Sequence, residues 1–222
     1  MVGYQVRVRT ELGQTSVWIF GRSSEWPGGP GSNPGNPILL FSSLPLFLTI
    51  VKYKYHRLFI ESENQMINKG DKVPAVNLIG TDTKLIDLSK AVKGKPAVIA
   101  FFPGAFTSVC TAEMCHFRDD MAVFNSLKAR VYGISVDSPF SNKEFKEKNQ
   151  LNFEILSDYS KEAIKSFGVE MEDFLKVPGF TVAKRAVFIS DSGGIIKFKW
   201  VSENPGIQPD YNAIQEALKS AK

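Results

Sequence analysis

The alternation of apolar and polar positions divides residues 66–222 into strands and helices. Residues 97–102 and 130–136 are mostly apolar runs, which are typical of strands covered on both faces. Between them, apolar residues recur every three or four positions from Phe106 to Leu127, which predicts one long helix with a buried face. The same patterns predict a strand at 153–156, helices at 140–149, 158–167 and 211–219, and hairpins over 76–87 and 185–201.

The order of these elements predicts an α/β fold of the thioredoxin type. Strands and helices alternate first, and a hairpin and a final helix follow, which gives a mixed central sheet with helices on both faces. The hairpin over residues 76–87 would be an N-terminal addition to this sheet. One helix is predicted to begin at Asp87 or Ser89, and another at Ser138, which precedes a proline. Gly168 is suited to end a helix.

Residues 1–65 differ in composition from residues 66–222, since they contain no Asp and the later part contains ten. Residues 22–37 are mainly Gly, Pro, Ser and Asn, which is typical of a linker. Residues 37–51 are apolar but short and interrupted for a membrane-spanning helix. We expect residues 1–65 to be a disordered extension or to be missing from the mature protein, with Met66 as the initiator. A membrane anchor or targeting segment and a small structured element are the alternatives.

The composition of the whole chain excludes several classes of protein. With 222 residues, 43% hydrophobic and 23% charged, the chain is globular rather than wholly disordered, collagen-like or coiled-coil. A net charge of +4 is too small to indicate binding to nucleic acid. Two cysteines cannot form a disulfide scaffold, and two histidines leave little for a histidine-rich metal site.

One turn between a predicted strand and a predicted helix carries the candidate chemistry. The helix begins near Thr107, with Thr107 or Ser108 as its cap, so Cys110 falls in the first turn. Unpaired N–H groups and the helix dipole stabilise a thiolate there, but by only about 1 kcal/mol. A mostly ionised thiol needs a further source of positive charge. Arg185, at the start of another predicted strand, is the best candidate. From its position alone, Cys110 could equally be an inert buried thiol.

The residues around this turn resemble the signature of a known family. The run PGAFTSVC places Pro103, Thr107 and Cys110 at P-x3-T-x2-C spacing. This spacing resembles the active-site motif of the peroxiredoxins, the alkyl hydroperoxide reductase and thiol-specific antioxidant family. Glu113 matches an acidic position of that family, and Arg185 matches its distant arginine. The resemblance covers essentially all of the predicted domain.

The resemblance implies a thiol peroxidase that needs no bound cofactor. Cys110 would attack a hydroperoxide and become a sulfenic acid, while Thr107 and Arg185 would stabilise the moving charge. Pro103 would shield the sulfur from water, and Glu113 would position the arginine. A thioredoxin- or glutaredoxin-like donor would supply electrons to a monomer or homodimer. We expect thiols that cycle in this way to work in a reducing cytoplasm.

Cys115 has two possible roles. Its C-x4-C spacing from Cys110 resembles the peroxiredoxin Q, or bacterioferritin-comigratory, branch, in which a cysteine five residues on resolves the sulfenic acid. Five residues advance about 7.5 Å along a helix and place the side chains on different faces, which prevents a disulfide. This role therefore requires the helix to unwind on oxidation. Otherwise Cys115 is an ordinary core thiol, and another thiol resolves the sulfenic acid.

Cys110, Cys115 and His116 also suggest an alternative function, a metal-binding chaperone on a thioredoxin fold. These side chains are suitable soft ligands, but an adjacent cysteine and histidine on a helix point apart, and a fourth ligand is not evident. His116 is more simply explained as a surface or interface side chain. A disulfide reductase would need a C-x2-C motif, which the sequence lacks.

Overall fold

The computed structural model describes residues 66–221 and the backbone of two strands near the start of the chain. The chain separates into two compact units, Met1–Tyr53 and Lys54–Lys222. The second unit contains every candidate site residue. Within residues 66–221, none of the helices has the length and apolar character needed to cross a bilayer.

The first unit contains an antiparallel hairpin. Its strands are β1 (Val2–Thr10) and β2 (Gly13–Gly21). The predicted linker and the apolar segment after it, residues 22–51, lie outside the described residues. The assignment of residues 1–65 as an extension therefore stays a prediction.

In the described part of the second unit, a seven-stranded mixed sheet is the central element. Along the chain the strands of this unit are β3 (Asn77–Gly80), β4 (Leu85–Asp87), β5 (Ala97–Phe101), β6 (Arg130–Ser135), β7 (Glu154–Ser157), β8 (Glu170–Met171), β9 (Val182–Ala183), β10 (Arg185–Ser190) and β11 (Ile196–Ser202). Their order in the sheet is β11-β10-β5-β6-β7-β3-β4, and β8 and β9 form a separate pair. The pairs β5–β6 and β6–β7 are parallel and the others are antiparallel. The predicted mixed sheet is confirmed, with the hairpin of β3 and β4 added at one edge.

Three helix ends lie where the sequence provides caps. The helices are α1 (Leu88–Ala91), α2 (Ser108–Asp119), α3 (Met121–Ser126), α4 (Pro139–Lys148), α5 (Glu162–Phe167) and α6 (Tyr211–Ser220), with a short 3-10 helix at Phe174–Lys176. The carboxylate of Asp87 accepts the N–H of Lys90, and the hydroxyl of Ser138 accepts that of Ser141. Gly168 ends α5 with a φ of 67°, a conformation that glycine adopts at little cost. These caps confirm the predicted helix boundaries at Asp87, Ser138 and Gly168.

The sheet separates two apolar cores because side chains alternate between the two faces of a strand. In β5, Ile99 and Phe101 lie in the core that α1 and α5 cover. Val98 and Ala100 lie in the core that α2, α3, α4 and α6 cover. Every residue of β5 is buried, as its continuous apolar run predicts. Cys110 belongs to the second core, so the candidate site lies on the α2 side of the sheet.

The prediction of one helix from Phe106 to Leu127 is wrong. The segment forms α2 and α3, which are separated at Asp120, where the backbone has φ −82° and ψ 0°. The carbonyl of Asp120 accepts the N–H of Val123 in a tightened turn, and its carboxylate accepts the side-chain amide of Gln215 on α6. Both helices pack on the same core, so the apolar spacing of three and four residues continues through the break.

The helix predicted from residue 158 begins later, at Glu162. The chain first makes a turn in which Lys161 has a φ of 64°. The buried carboxylate of Asp158 then accepts the N–H groups of Ala163 and Ile164 at 3.0 and 2.8 Å. The side chain of Asp158 therefore caps α5, although Asp158 lies four residues before the helix begins.

Candidate active site

Cys110 lies where β5 passes into α2. The strand ends at Phe101, a loop follows, and α2 begins at Ser108, so Cys110 is the third residue of the helix. The first N–H groups of a helix have no partner within it, and the helix dipole is positive at this end. The side chain of Cys110 is only 1% exposed. The predicted position in the first turn is confirmed, so the sulfur lies near the positive end of the helix dipole.

Strand pairing brings Arg185 to Cys110. Arg185 is the first residue of β10, and its neighbour Ala186 pairs with Phe101, the last residue of β5. Alternation along β10 places Arg185 on the same face as Val187, which lies in the α2 core. The guanidinium Nη2 lies 3.4 Å from the sulfur of Cys110. The predicted permanent cation therefore lies beside the thiol, and Arg185 is only 1% exposed.

The guanidinium of Arg185 is held by two further acceptors. Its Nη1 donates to Oε2 of Glu113, which lies one turn beyond Cys110 on α2 and is fully buried. Its Nε and Nη2 both donate to the carbonyl of Pro205, at 3.1 and 2.7 Å. Contacts on three sides fix the plane of the guanidinium, so that Nη2 faces the sulfur. The structure thus brings together Cys110, Glu113 and Arg185 as the sequence predicts.

Burial changes the proton affinity of Glu113. It raises the pKa of this carboxyl from an ordinary value of 4.5 to about 7, although the charge and hydrogen bond of Arg185 oppose the shift. Within the described residues, Oε1 of Glu113 has no hydrogen-bond partner. Burial alone would lower the pKa of Arg185, but Glu113 and Cys110 outweigh it and keep that pKa above its ordinary value. The arginine therefore stays charged, while Glu113 can change its charge near neutral pH.

The loop from Pro103 to Thr107 lines the approach to the helix start. Within this loop Pro103 is buried, whereas Thr107 is exposed. The hydroxyl of Thr107 donates to the carbonyl of Gly104 at 3.1 Å and makes no capping bond to α2. Thr107 therefore occupies the predicted capping position, but its hydroxyl makes no capping bond. Its hydroxyl is held by the loop, three residues before Cys110.

Cys115 lies on the same helix as Cys110 and is partly exposed, with both thiols free. The two cysteines are therefore on one intact helix, the arrangement in which we expect no disulfide between them. His116 stacks on Tyr211 of α6, with ring centroids 3.6 Å apart, and its Nε2 lies 3.5 Å from a carboxylate oxygen of Asp120. Its place in a helix–helix contact agrees with the simpler explanation of this residue. Among residues 66–221, no three His, Cys, Asp or Glu side chains are grouped to hold a metal ion.

Two residues at the site were not predicted from the sequence. Pro205 contributes its carbonyl, and a backbone acceptor has no signal in the sequence. Asp137 accepts the N–H of Ala105 in the loop before α2, at 2.8 Å. In the sequence, Asp137 is notable only because it precedes Ser138, where a helix is predicted to begin. Its position after the parallel neighbour of β5 is the signal that could have linked it to the site, since such strand ends lie side by side.

Known proteins share this domain. The AhpC/TSA family model matches residues 69–199. The chloroplastic peroxiredoxin Q of Populus jackii is 37% identical over 153 residues, which cover 69% of this chain and 67% of that protein. The putative peroxiredoxin bcp of Haemophilus influenzae is 33% identical over 130 residues, covering 59% of this chain and 83% of that protein. The match to the plant relative spans about two thirds of its length.

Solved structures share the fold. Peroxidoxin BcpB from Mycobacterium tuberculosis superposes with a TM-score of 0.62 at 26% identity, over 71% of this chain and 99% of that one. The bacterioferritin comigratory protein of Xanthomonas campestris superposes with a TM-score of 0.61 at 24% identity, over 70% of this chain and 100% of that one. The thioredoxin-type fold predicted from the sequence is confirmed. Because the family match over residues 69–199 includes both partners of the Cys110–Arg185 contact, we conclude that the chain belongs to the AhpC/TSA family and has peroxiredoxin Q and bacterioferritin-comigratory proteins among its relatives.

Proposed function

We propose that Cys110 is the nucleophile with which this chain reduces hydroperoxides. Members of the AhpC/TSA family are thiol-dependent peroxidases that thioredoxin-like reductants recycle, and the chain is such an oxidoreductase. The observation that supports Cys110 is the 3.4 Å contact between its sulfur and Nη2 of Arg185, at the positive end of α2. The thiolate is the reactive form of a cysteine, and a permanent cation and the start of a helix are groups that attract it.

The proposed step is a displacement at oxygen. The thiolate of Cys110 donates an electron pair to the terminal oxygen of a hydroperoxide, and the O–O bond breaks. The sulfur becomes a sulfenic acid, and the other oxygen leaves as hydroxide or alkoxide and takes a proton to give water or an alcohol. The sulfur loses two electrons and the peroxide gains them. No cofactor is needed for this step.

Arg185 stabilises negative charge throughout the proposed step. It attracts the thiolate before the reaction and the leaving oxygen as the charge moves. Glu113 and the carbonyl of Pro205 hold the guanidinium in place, so little reorganisation is needed during the reaction. Glu113 is thus a positioning residue, and Arg185 is the residue that contacts the reacting sulfur.

Thr107 and Pro103 complete the proposed peroxide site. The hydroxyl of Thr107 already donates to the carbonyl of Gly104, so its oxygen can still accept a hydrogen bond from a hydroperoxide O–H. The N–H groups of Val109 and Cys110 at the helix start are further donors for the peroxide oxygens. Pro103 has no N–H and is buried in the loop, which supports a role in keeping water from the sulfur.

We further propose that Cys115 resolves the sulfenic acid. Its sulfur would attack that of Cys110, a water molecule would leave, and a disulfide would form. Because both residues are on α2, the helix must open between them first. The partial exposure of Cys115 supports this role, since a thioredoxin-like dithiol must reach the disulfide to reduce it. The C-x4-C spacing, which resembles that of the peroxiredoxin Q branch, favours the same assignment.

We propose that the enzyme works in the cytoplasm as a monomer or a homodimer. Two thiols that alternate between reduced and oxidised forms suit a reducing compartment. The plant relatives carry the name chloroplastic, so cell fractionation with an antibody to residues 66–222 tests this point directly. Native mass spectrometry of the reduced and oxidised enzyme tests the state of association.

The proposed function is tested by peroxide consumption coupled to a thioredoxin system. We expect turnover of hydrogen peroxide and of an organic hydroperoxide, and complete loss of turnover in Cys110→Ser. Cys115→Ser should still react once with peroxide, because it retains the nucleophile. Turnover by Cys110→Ser would contradict the proposal. Stoichiometric binding of a soft metal ion without peroxide turnover would favour the chaperone alternative instead.

A further inference from the structure

The loop that precedes Cys110 is attached to the neighbouring strand by one side chain. The N–H of Ala105 donates to Oδ2 of Asp137 at 2.8 Å, across 32 positions of sequence. Ala105 follows β5, and Asp137 follows β6, the parallel neighbour of β5. The two strands end at the same edge of the sheet, so the carboxylate reaches the loop directly.

Asp137 is itself held in place by a buried polar network. Its N–H donates to the hydroxyl of Ser135 at 3.3 Å, and its carbonyl accepts the hydroxyl of Ser157 at 2.5 Å. Ser135 in turn donates to the side chain of Asn142 on α4, and both are fully buried. The backbone of Asp137 is therefore fixed from β6, β7 and α4. Because its backbone is held in this way, the carboxylate of Asp137 can fix the position of the loop before α2.

The loop needs an external support because its backbone is strained. Phe106, directly after Ala105, has a φ of 63° and is 49% exposed. A residue with a Cβ in this left-handed region costs about 1 kcal/mol or more, and it persists only when the surroundings hold it. The ring of Phe106 packs on Phe145 with centroids 5.3 Å apart. A hydrogen bond from a backbone N–H to a carboxylate is stronger than one between neutral groups, so Asp137 is the main polar support.

We propose that Asp137 is a positioning residue for the reaction with peroxide. Through Ala105, it holds the loop so that the Thr107 hydroxyl faces the peroxide at the start of α2. This inference rests on the proposed role of Cys110 as the nucleophile. Asp137 acts on the site that receives the peroxide, whereas Arg185 and the helix terminus act on the thiolate.

Two reactions of Cys110 separate these contributions. Alkylation by iodoacetamide needs an accessible thiolate, and that depends on Arg185 and the helix terminus. Reduction of a peroxide also needs the loop in its bound geometry, and small displacements of a positioning group lower rates about tenfold to a hundredfold. Asp137→Ala should therefore slow the reaction with hydrogen peroxide by about tenfold or more and leave the alkylation rate unchanged.

Two further variants make the comparison specific. Asp137→Asn retains a side-chain oxygen that can accept the N–H of Ala105, so it should restore most of the peroxide rate. Asp191→Ala is the matched control, since Asp191 also accepts loop N–H groups, those of Gly193 and Ile195. It follows Ser190, which pairs with Ala97 at the opposite end of β5 from the site. This control should keep both rates at the wild-type level.

The experiment measures both rate constants by stopped flow for the wild type and the three variants, with melting temperatures for each. A selective loss of peroxide reactivity in Asp137→Ala, restored in Asp137→Asn, supports the inference. It is overturned if Asp137→Ala reacts with peroxide at the wild-type rate, or if alkylation slows as much as peroxide reduction. A wild type that does not react with peroxide overturns the proposed function and this inference together. If the wild type reacts and Asp137→Ala equals it, only the role of Asp137 is lost.

Discussion

The guanidinium of Arg185 lies 3.4 Å from the sulfur of Cys110, although 75 positions separate the two residues in the sequence. The antiparallel pairing of β10 with β5 produces this contact, because it places the start of β10 beside the end of β5. The same guanidinium binds Glu113 from the helix that carries the cysteine. One permanent cation therefore contacts both the thiol of Cys110 and the carboxyl of Glu113, which share a single helix.

Replacing Arg185 should slow the reaction with peroxide. In Arg185→Lys the side chain keeps its charge, but a single ammonium group cannot contact Cys110, Glu113 and Pro205 in the same plane. We expect the rate constant with hydrogen peroxide to fall roughly a hundredfold, as for the loss of a donor to a developing charge. Stopped-flow measurement of peroxide reduction checks this.

Lys184→Gln is the matched control for that change. Lys184 precedes Arg185 and forms an ion pair with Glu203 at 2.7 Å rather than with Cys110. Its loss should leave the peroxide rate near that of the wild type. An equal loss of rate in both variants would show that general positive charge, and not the contact with Cys110, supports the reaction.

Glu113 should make the protein less stable as the pH rises towards neutrality. Burial raises the pKa of its carboxyl from 4.5 to about 7, so between these values the folded state binds more protons than the unfolded state. The free energy of unfolding must then decrease as pH rises through this range. We expect a decrease on the order of 1 to 3 kcal/mol, which Glu113→Gln removes because its amide does not titrate. Urea unfolding at a series of pH values measures it.

Glu216→Gln serves as the control for this titration. The side chain of Glu216 is 70% exposed and pairs with Lys219, so the wild-type pH dependence should remain in this variant. The assignment to Glu113 is refuted if Glu113→Gln shows the same decrease in stability as the wild type.

Oxidation should open the first turns of α2. After one equivalent of hydrogen peroxide, we expect the peptide containing Cys110 and Cys115 to lose the mass of two hydrogen atoms, and Cys115→Ser to show no such loss. Because a helix holds these residues too far apart for a disulfide, hydrogen exchange over residues 108–115 should become faster in the oxidised protein. Mass spectrometry measures both quantities. A disulfide formed with unchanged exchange in this segment would contradict the unwinding, and a wild type without the mass change would exclude Cys115 as the resolving residue.

Phe188 should contribute to stability without contributing to the reaction. It is fully buried in the core opposite Cys110, with its ring centroid 4.9 Å from that of Phe167. Phe188→Ala should lower the free energy of unfolding by about 3 to 5 kcal/mol because it leaves a cavity. This corresponds to a melting temperature lower by roughly 10 °C. Differential scanning calorimetry checks this value.

Below its melting temperature the Phe188→Ala variant should reduce peroxide at the wild-type rate. Phe140→Ala is the control for stability, because that side chain is 71% exposed and little area is lost. A slower peroxide reaction in folded Phe188→Ala would mean that the two cores are coupled through β10.

The sequence predicted the residues of the candidate site better than it predicted the helix boundaries and hydrogen bonds around them. The motif around Cys110 and the cation at Arg185 follow from residue types and from the order of strands. The break at Asp120 was missed, because an apolar spacing of three and four residues is the same in one helix as in two helices on one core. Thr107 occupies the predicted capping position, but which group its hydroxyl bonds depends on how the loop folds back to Gly104.

The sequence by itself determined most of the elements and the candidate reacting groups. Alternation with a period of two or of three to four residues is a local property, and so is the position of a cysteine in the first turn of a helix. Only the tertiary structure decided which acceptors hold Arg185 and which side chain supports the loop before α2. Those contacts depend on the pairing of distant strands and on a backbone carbonyl at Pro205, and the burial that raises the pKa of Glu113 exists only once the second core has formed.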